Sequence, residues 1–277
     1  VTTDRLSVTF WGVRGSIACP GPATAGYGGN TACLEIRAAD KLLIFDAGTG
    51  LKPFGGALAK QGAALDVDWF FTHTHFDHIQ GIPFFSPLYD RRNRFRLRAG
   101  HLMPEMNLKQ VLSEMMSAPL FPIPIGIFAA QIEFADFRAG ETHDLGGGVV
   151  VKTAPLNHPN RATGYRVEVG KKAICYVTDT EHVPGRPDAN VLKLIEGADI
   201  VVYDSTYTDQ EYPAHVGWGH STWQEGVRLA EKAGAKRLAI YHHDPDHDDA
   251  FMDQVAADAE KMRPGTFVAR EGTTIEV

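Results

Sequence analysis

The stretch that most constrains this chain is His73-Thr74-His75-Phe76-Asp77-His78, which puts three imidazoles and a carboxylate into six consecutive residues. Imidazole nitrogen and carboxylate oxygen together suit a divalent cation, Zn2+ foremost, with Mn2+ or Fe2+ as alternatives. The run before it, Val67 to Phe71, is short, apolar and rich in aromatics, and predicts a buried strand. The ligand loop then leaves a strand's carboxyl end, where open α/β sheets place their ligands.

The same arrangement recurs along the chain. Leu6 to Phe10, Ala32 to Arg37 and Lys41 to Phe45 predict strands, the third ending in Asp46-Ala47-Gly48-Thr49-Gly50, where Asp46 either braces the ligand loop or forms a simple turn. Gly148 to Thr153 predicts a strand leading to His158, and Lys172 to Thr178 one leading to Asp179 and then His182. Lys236 to Tyr241 predicts a strand ending in His242-His243-Asp244-Pro245, which offers two adjacent histidines. This order of segments is more specific than any one of them.

His-x-His-x-Asp-His after an apolar strand resembles the signature of the metallo-β-lactamase superfamily, and the resemblance extends from Asp46 to His242. It implies an α/β fold, the four-layered αββα metallo-β-lactamase sandwich, in one domain spanning 1–277. It also implies two metal ions: one on His73, His75 and His158, the other on Asp77, His78, Asp179 and His242, with Asp179 bridging. In strand register His242 aligns better than His243. Asp46 is implied to hold the ligand loop from behind, and His182 is a candidate for the same kind of support.

Gly217-Trp218-Gly219-His220-Ser221-Thr222 narrows the resemblance. Ser221 with Gln224 predicts a capping box for a helix that runs through Val227 and Ala230 to a stop at Gly234. A His-Ser-Thr stretch in this place resembles the phosphodiesterase branch: ribonuclease Z, cyclic-nucleotide phosphodiesterases and cyclic ribose-phosphate phosphodiesterases. Leu112 to Gln131 and Gly12 to Ser16 are similar to that branch too. The resemblance implies that His220 contacts phosphate and protonates the leaving oxygen, while Asp77 orients a hydroxide held between the metals.

The segment Pro159 to Thr178 is too short for the transfer-RNA arm of ribonuclease Z. A formal charge of −7 also argues against an extended nucleic-acid surface. The expected substrate is therefore a small cyclic phosphodiester, a 3′,5′-cyclic nucleotide above others. Cyclic ribose phosphates and a ribonuclease Z-like nuclease are the alternatives, and a non-catalytic metal-binding nucleotide sensor is the competing reading from another class.

The remaining features are less specific. The loop from Gly12 to Thr31 is long enough to be functional; Arg14 and Asn30 within it are expected to reach substrate, and Gly26 to Thr31 either cradles an anion with backbone N–H groups or merely turns. Arg94, Arg96 and Arg98 alternate with Phe95 and Leu97, which predicts a strand with one basic face, read as a solvated edge, with phosphate attraction as the alternative. Leu108 to Met116 predicts a helix, either packed in the core or bordering a substrate cleft or a subunit contact. Cys19, Cys33 and Cys175 have no metal spacing and predict free thiols. Val1 to Phe10 shows no leader pattern and no run is long enough to span a membrane, so a cytoplasmic setting is expected. The resemblance makes a homodimer the expected assembly.

Overall fold

The computed structural model describes residues 5–277; Val1 to Asp4, part of the stretch read for a leader, lie outside the described residues. The first sheet contains β1 (Leu6–Gly12), β2 (Cys33–Ala38), β3 (Lys41–Phe45), β4 (Asp66–Phe71), β5 (Arg94–Ala99) and β6 (Gln131–Phe134). The second contains β7 (Thr142–Gly146), β8 (Val149–Leu156), β9 (Ala162–Val169), β10 (Lys172–Val177), β11 (Ile200–Asp204), β12 (Arg237–Tyr241) and β13 (Thr266–Val268). A last strand, β14 (Thr274–Glu276), returns to the first sheet, giving two seven-stranded sheets in the orders β14-β1-β2-β3-β4-β5-β6 and β13-β12-β11-β10-β9-β8-β7. The helices are α1 (Leu51–Gln61), α2 (Phe76–Ile79), α3 (Leu108–Met115), α4 (Ala189–Ile195), α5 (Trp223–Lys232) and α6 (Asp249–Met262).

Strand alternation explains the layering. Successive side chains point to opposite faces, so Phe70 of β4 joins Val8, Phe45, Tyr165 and Tyr176 between the sheets, whereas Trp69 and Phe71 pack outward with Leu51 of α1 and Leu112 of α3. In β10, Ile174 and Tyr176 face the first sheet, and Cys175 and Val177 pack outward with Leu194, Val227 and Met252 of α4, α5 and α6. The result is helix, sheet, sheet, helix, the metallo-β-lactamase sandwich.

Each sheet is mixed, and its parallel half positions the site. Strands β3, β4, β5 and β6 pair parallel, as do β10, β11, β12 and β13. Parallel neighbours bring their carboxyl ends to one rim, so Asp46, the loop from Thr72, Asp179, Asp204 and His242 gather there although they are far apart in sequence. Asp46, Asp179 and His242 leave their strands with φ of 59°, 55° and 62°. Left-handed backbone at a non-glycine residue is uncommon and costs energy, and it concentrates at functional sites.

Two expectations about elements are corrected. The basic strand is not an edge: β5 lies between β4 and β6, and its charges are met laterally by Asp68, which accepts from Arg96 Nε at 2.9 Å and Arg98 Nη2 at 3.2 Å. The cap of α5 is Thr222 rather than Ser221, its hydroxyl accepting from Glu225 N at 3.1 Å. Ser221 is withdrawn from the helix end because its side chain lies against His182 and Tyr203, at 2.8 and 2.9 Å. The helix through Leu108 is capped by a reciprocal box between Asn107 and Gln110 and buries Leu108 and Leu112.

Candidate active site

Three donors form one cage. His73 Nε2 and His158 Nε2 lie 2.9 and 3.1 Å from His75 Nδ1. Four more converge beside it: His78 Nε2 is 3.3 Å from Asp77 Oδ2, 3.2 Å from Asp179 Oδ2 and 3.4 Å from His242 Nε2, and His242 Nε2 is 3.4 and 3.3 Å from the same two carboxylate oxygens. Donors held about 2.1 Å from a tetrahedral cation stand about 3.4 Å apart, so the second cage already has the dimensions of such a site. Asp179 divides between the two cages, for its other oxygen, Oδ1, faces His73 and His158 at 3.8 and 3.7 Å. The donor set therefore fits two divalent cations.

The outer ring nitrogens are also accounted for. His78 Nδ1 donates to Asp46 Oδ2 at 2.9 Å and His158 Nδ1 to the Gly219 carbonyl at 2.7 Å. Thr72 Oγ1 donates to Asp46 and so accepts from His73 Nδ1 at 3.0 Å; Thr206 Oγ1 donates to Asp204 and accepts from His242 Nδ1 at 3.1 Å. With a proton fixed on the outer nitrogen, each inner Nε2 presents a lone pair, as ligation requires. Asp46 is thus the brace behind the loop, held in turn by Thr72 N and the Tyr176 hydroxyl at 2.8 Å each.

Close packing fixes this arrangement. A methyl group at Gly219, where φ is 88°, would lie 2.4 Å from His158 Nδ1, and one at Gly15 would lie 2.4 Å from His242 Nδ1. The residue after Gly15, Ser16, has φ of 60° and donates its backbone N–H to Asp77 Oδ2 at 2.8 Å. Both glycine loops therefore touch ligand candidates directly.

Charge follows from geometry. Burial holds His73 well below the ordinary imidazole value, aided by the neighbouring imidazoles. For His78 burial acts in the same direction, but Asp179, Asp77 and Asp46 outweigh it and hold its pKa high. Asp77 and Asp179 resist burial through the facing histidines and stay well below the carboxylate range.

His220 stands at the side of this cluster, its ring stacked on His242 at 5.0 Å and 25°. Its Nδ1 donates to Asp204 Oδ2 at 3.0 Å. Burial opposes its charge, yet Asp204, by charge and hydrogen bond, followed by Asp179 and Asp77, pushes it up to about 9. Asp204 is a candidate site residue that the sequence did not single out. It is fully buried, also accepts from Thr180 N and Thr206, and its Asp204-Ser205-Thr206 context at the end of an apolar run repeats that of Asp179. Ser16, Phe76, Asp77, Asp179 and His220 line an open cleft of about 430 Å³ over the cages.

Other predicted residues lie elsewhere. His243 turns away, donating from Nε2 to the Ala269 carbonyl at 2.9 Å, and burial pushes it down to about 3. His182 approaches no cage; its Nδ1 meets Ser221 and its ring stacks on Tyr212 at 4.1 Å. Neither Arg14 nor Asn30 lines the cleft over the cages. The Arg14 guanidinium is buried and donates to the carbonyls of Gly28, Asp244 and His247, making it an internal strut. The Asn30 amide donates to Glu271 at 2.9 Å. The backbone N–H groups of Gly26 and Tyr27 are likewise taken, by the Asp249 carboxylate, at 2.7 and 3.0 Å, so the anion they cradle is the protein's own.

Fold and site together define a metallo-hydrolase. The chain belongs to the beta-lactamase superfamily: the model of the beta-lactamase superfamily domain matches residues 43–243. Relatives that the chain matches along nearly its whole length are ribonucleases Z. It is 26% identical to ribonuclease Z of Natronomonas pharaonis, across 98% of each chain, and 26% identical to that of Myxococcus xanthus, across 90% of this chain and 92% of the relative. Among solved structures it is similar in fold to the metallo-beta-lactamase fold protein YhfI from Bacillus subtilis, with TM-score 0.75, 18% identity and coverage of 99% and 100% of the two chains. A diphosphatase from the PhnP family gives TM-score 0.71 with 21% identity, covering 99% and 97%.

Proposed function

We propose that this chain is a dinuclear phosphodiesterase that hydrolyses a small cyclic phosphodiester, a 3′,5′-cyclic nucleotide above others. The observation that carries the reading is the division of Asp179 between two donor cages beside an imidazole, His220, hydrogen-bonded to buried Asp204. His73, His75 and His158 would hold one cation, and Asp77, His78 and His242 the other, with Asp179 shared. The cations would be zinc by donor type, and when bound they would supply Lewis-acid chemistry, polarising the phosphoryl group and acidifying water.

The chain's own groups do the rest. Asp77, anchored by Ser16 N, orients the attacking water. His220 carries a proton at neutral pH and gives it to the departing ester oxygen, which would otherwise leave as an unstable alkoxide. The interval between His158 and Asp179 holds only β9 and β10, which favours a small substrate over transfer RNA. The ribonuclease Z reading is favoured instead by likeness to ribonuclease Z along nearly the whole chain.

Phosphorus-31 NMR of the metal-replete protein with a mixture of 3′,5′-cyclic, 2′,3′-cyclic and ribose 1,2-cyclic phosphates decides among these substrates. Selective loss of the 3′,5′-cyclic resonance is expected. Persistence of all three, with both metals bound, would remove small cyclic diesters; cleavage of a transfer-RNA precursor would then establish the nuclease.

We further propose a homodimer, supported by the exposure of the apolar side chains Phe84, Leu120, Ile123 and Ile127. A reducing, cytoplasmic setting is supported by the free state of Cys19, Cys33 and Cys175. Among the described residues no helix is long and apolar enough to cross a membrane.

A further inference from the structure

Past His220 the cleft continues into a hollow of about 560 Å³ lined by Ser16, Tyr207, Trp218, His220, Asp244 and Asp246. Ser16 and His220 belong to both spaces, so a molecule with its phosphorus over the cages can extend into the hollow without a break. Trp218 is 62% exposed there. It is nevertheless held in place: Glu181 accepts from Gly217 N at 2.9 Å and from Gly219 N at 2.7 Å, clamping the backbone on both sides of it. Its indole meets the His215 ring at 5.0 Å and 89°, and His215 stacks on Tyr207 at 4.2 Å.

An ordered loop that presents a large aromatic side chain to water forgoes the burial free energy that the same side chain gains in a core. A clamped, exposed indole bordering a reaction site offers a flat apolar face for a ligand to cover. Stacking on a base suits an indole, and it tolerates any base because each has a π face.

We propose that this hollow is a nucleoside subsite in which Trp218 stacks on the base, and that Asp244 and Asp246 restrict it to nucleotides carrying a single phosphate. The proposal rests on the phosphodiesterase reading. Water attacks phosphorus opposite the leaving oxygen, forming the new P–O bond and releasing one proton to solvent; the P–O3′ bond breaks, O3′ takes the proton from His220, which solvent restores, and the nucleoside stays attached through O5′. The departing oxygen must therefore face His220, which directs the sugar and base into the hollow. The Asp246 backbone N–H binds Asp244 Oδ1 at 2.8 Å, fixing the Asp244 carboxylate, and both acidic residues line the hollow, where they repel a further phosphate such as the next one of a polynucleotide.

The test compares wild type, Trp218→Phe and Trp218→Ala on 3′,5′-cyclic AMP and on the abasic 1-O-methylribose 3′,5′-cyclic phosphate. Trp218→Ala is expected to raise KM for cyclic AMP about tenfold with kcat within about twofold, Trp218→Phe to recover most of the loss, and neither to move KM for the abasic compound. Equal losses on both compounds, or no loss on cyclic AMP, would overturn the subsite. Binding of AMP measured by calorimetry separates this from the parent reading: if wild type hydrolyses neither compound, the catalytic assignment fails, while weaker AMP binding by Trp218→Ala than by wild type sustains the subsite and equal binding removes it. Asp244→Asn/Asp246→Asn is expected to narrow the preference for AMP over adenosine 3′,5′-bisphosphate about tenfold; an unchanged preference would remove the charge-selection part.

Discussion

A buried carboxylate decides how His220 behaves. Without Asp204 the imidazole would face only the burial that lowers its pKa and the more distant Asp179 and Asp77, whose charges bound cations would largely offset. Asp204→Asn is therefore expected to move the alkaline limb of kcat to lower pH by at least about one unit, since a proton donor is lost as pH rises through its pKa. An unchanged limb would assign that ionisation to another group. His220→Ala should lower kcat by about 10²- to 10⁴-fold while atomic emission still finds two metals per chain; loss of metal along with activity would make His220 a ligand instead. The other candidates were legible in sequence because each ligand lies at the end of a strand in a recognisable order. Asp204 was not, because its role depends on a histidine from a different loop. For Arg14 and Asn30 sequence is ambiguous for the converse reason: polar side chains in a glycine-rich loop look available until their internal acceptors are known.

At the scale of elements, the join between the His220 loop and α5 separates two functions that sequence had merged. Thr222 caps the helix, whereas Ser221 connects His182 and Tyr203 immediately behind His220. Thr222→Ala is expected to cost about 1 kcal/mol of stability in urea unfolding. Ser221→Ala should leave the helix cap intact and lower kcat, because the loop that orients His220 loses its internal tie; the opposite pattern would restore Ser221 as the cap. Both residues fit the statistical preference for caps, and only side-chain partners distinguish them. The basic strand was obscured in a similar way. Alternating arginines describe an edge until β4 supplies Asp68 beside them, and strand order is a long-range property that local periodicity does not contain.

For the whole molecule, the parallel halves of two sheets hold like-charged and mutually repelling groups together at one rim, and this makes stability depend on pH in opposite ways with and without metal. The elevated pKa of His78 contributes stability that is present below the ordinary imidazole value and is lost as pH rises through the elevated one. The depressed Asp77 and Asp179 contribute stability above the ordinary carboxylate value, lost as pH falls through the depressed ones. The metal-free protein is therefore best balanced between those limits, with the His78 proton standing in for a cation. Metal binding must displace these protons, so its benefit grows as pH rises. At a thousandfold excess over Kd, binding contributes about 4 kcal/mol, which corresponds to a rise in Tm on the order of 10 °C for a domain of this size. Calorimetry with and without chelator should show that increment at pH 8 and a much smaller one at pH 5.5. Asp179→Ala should remove most of it, because both cages lose an oxygen. An increment independent of pH would mean that the stabilising ions bind away from the histidines, and the two-cage assignment would fall with it.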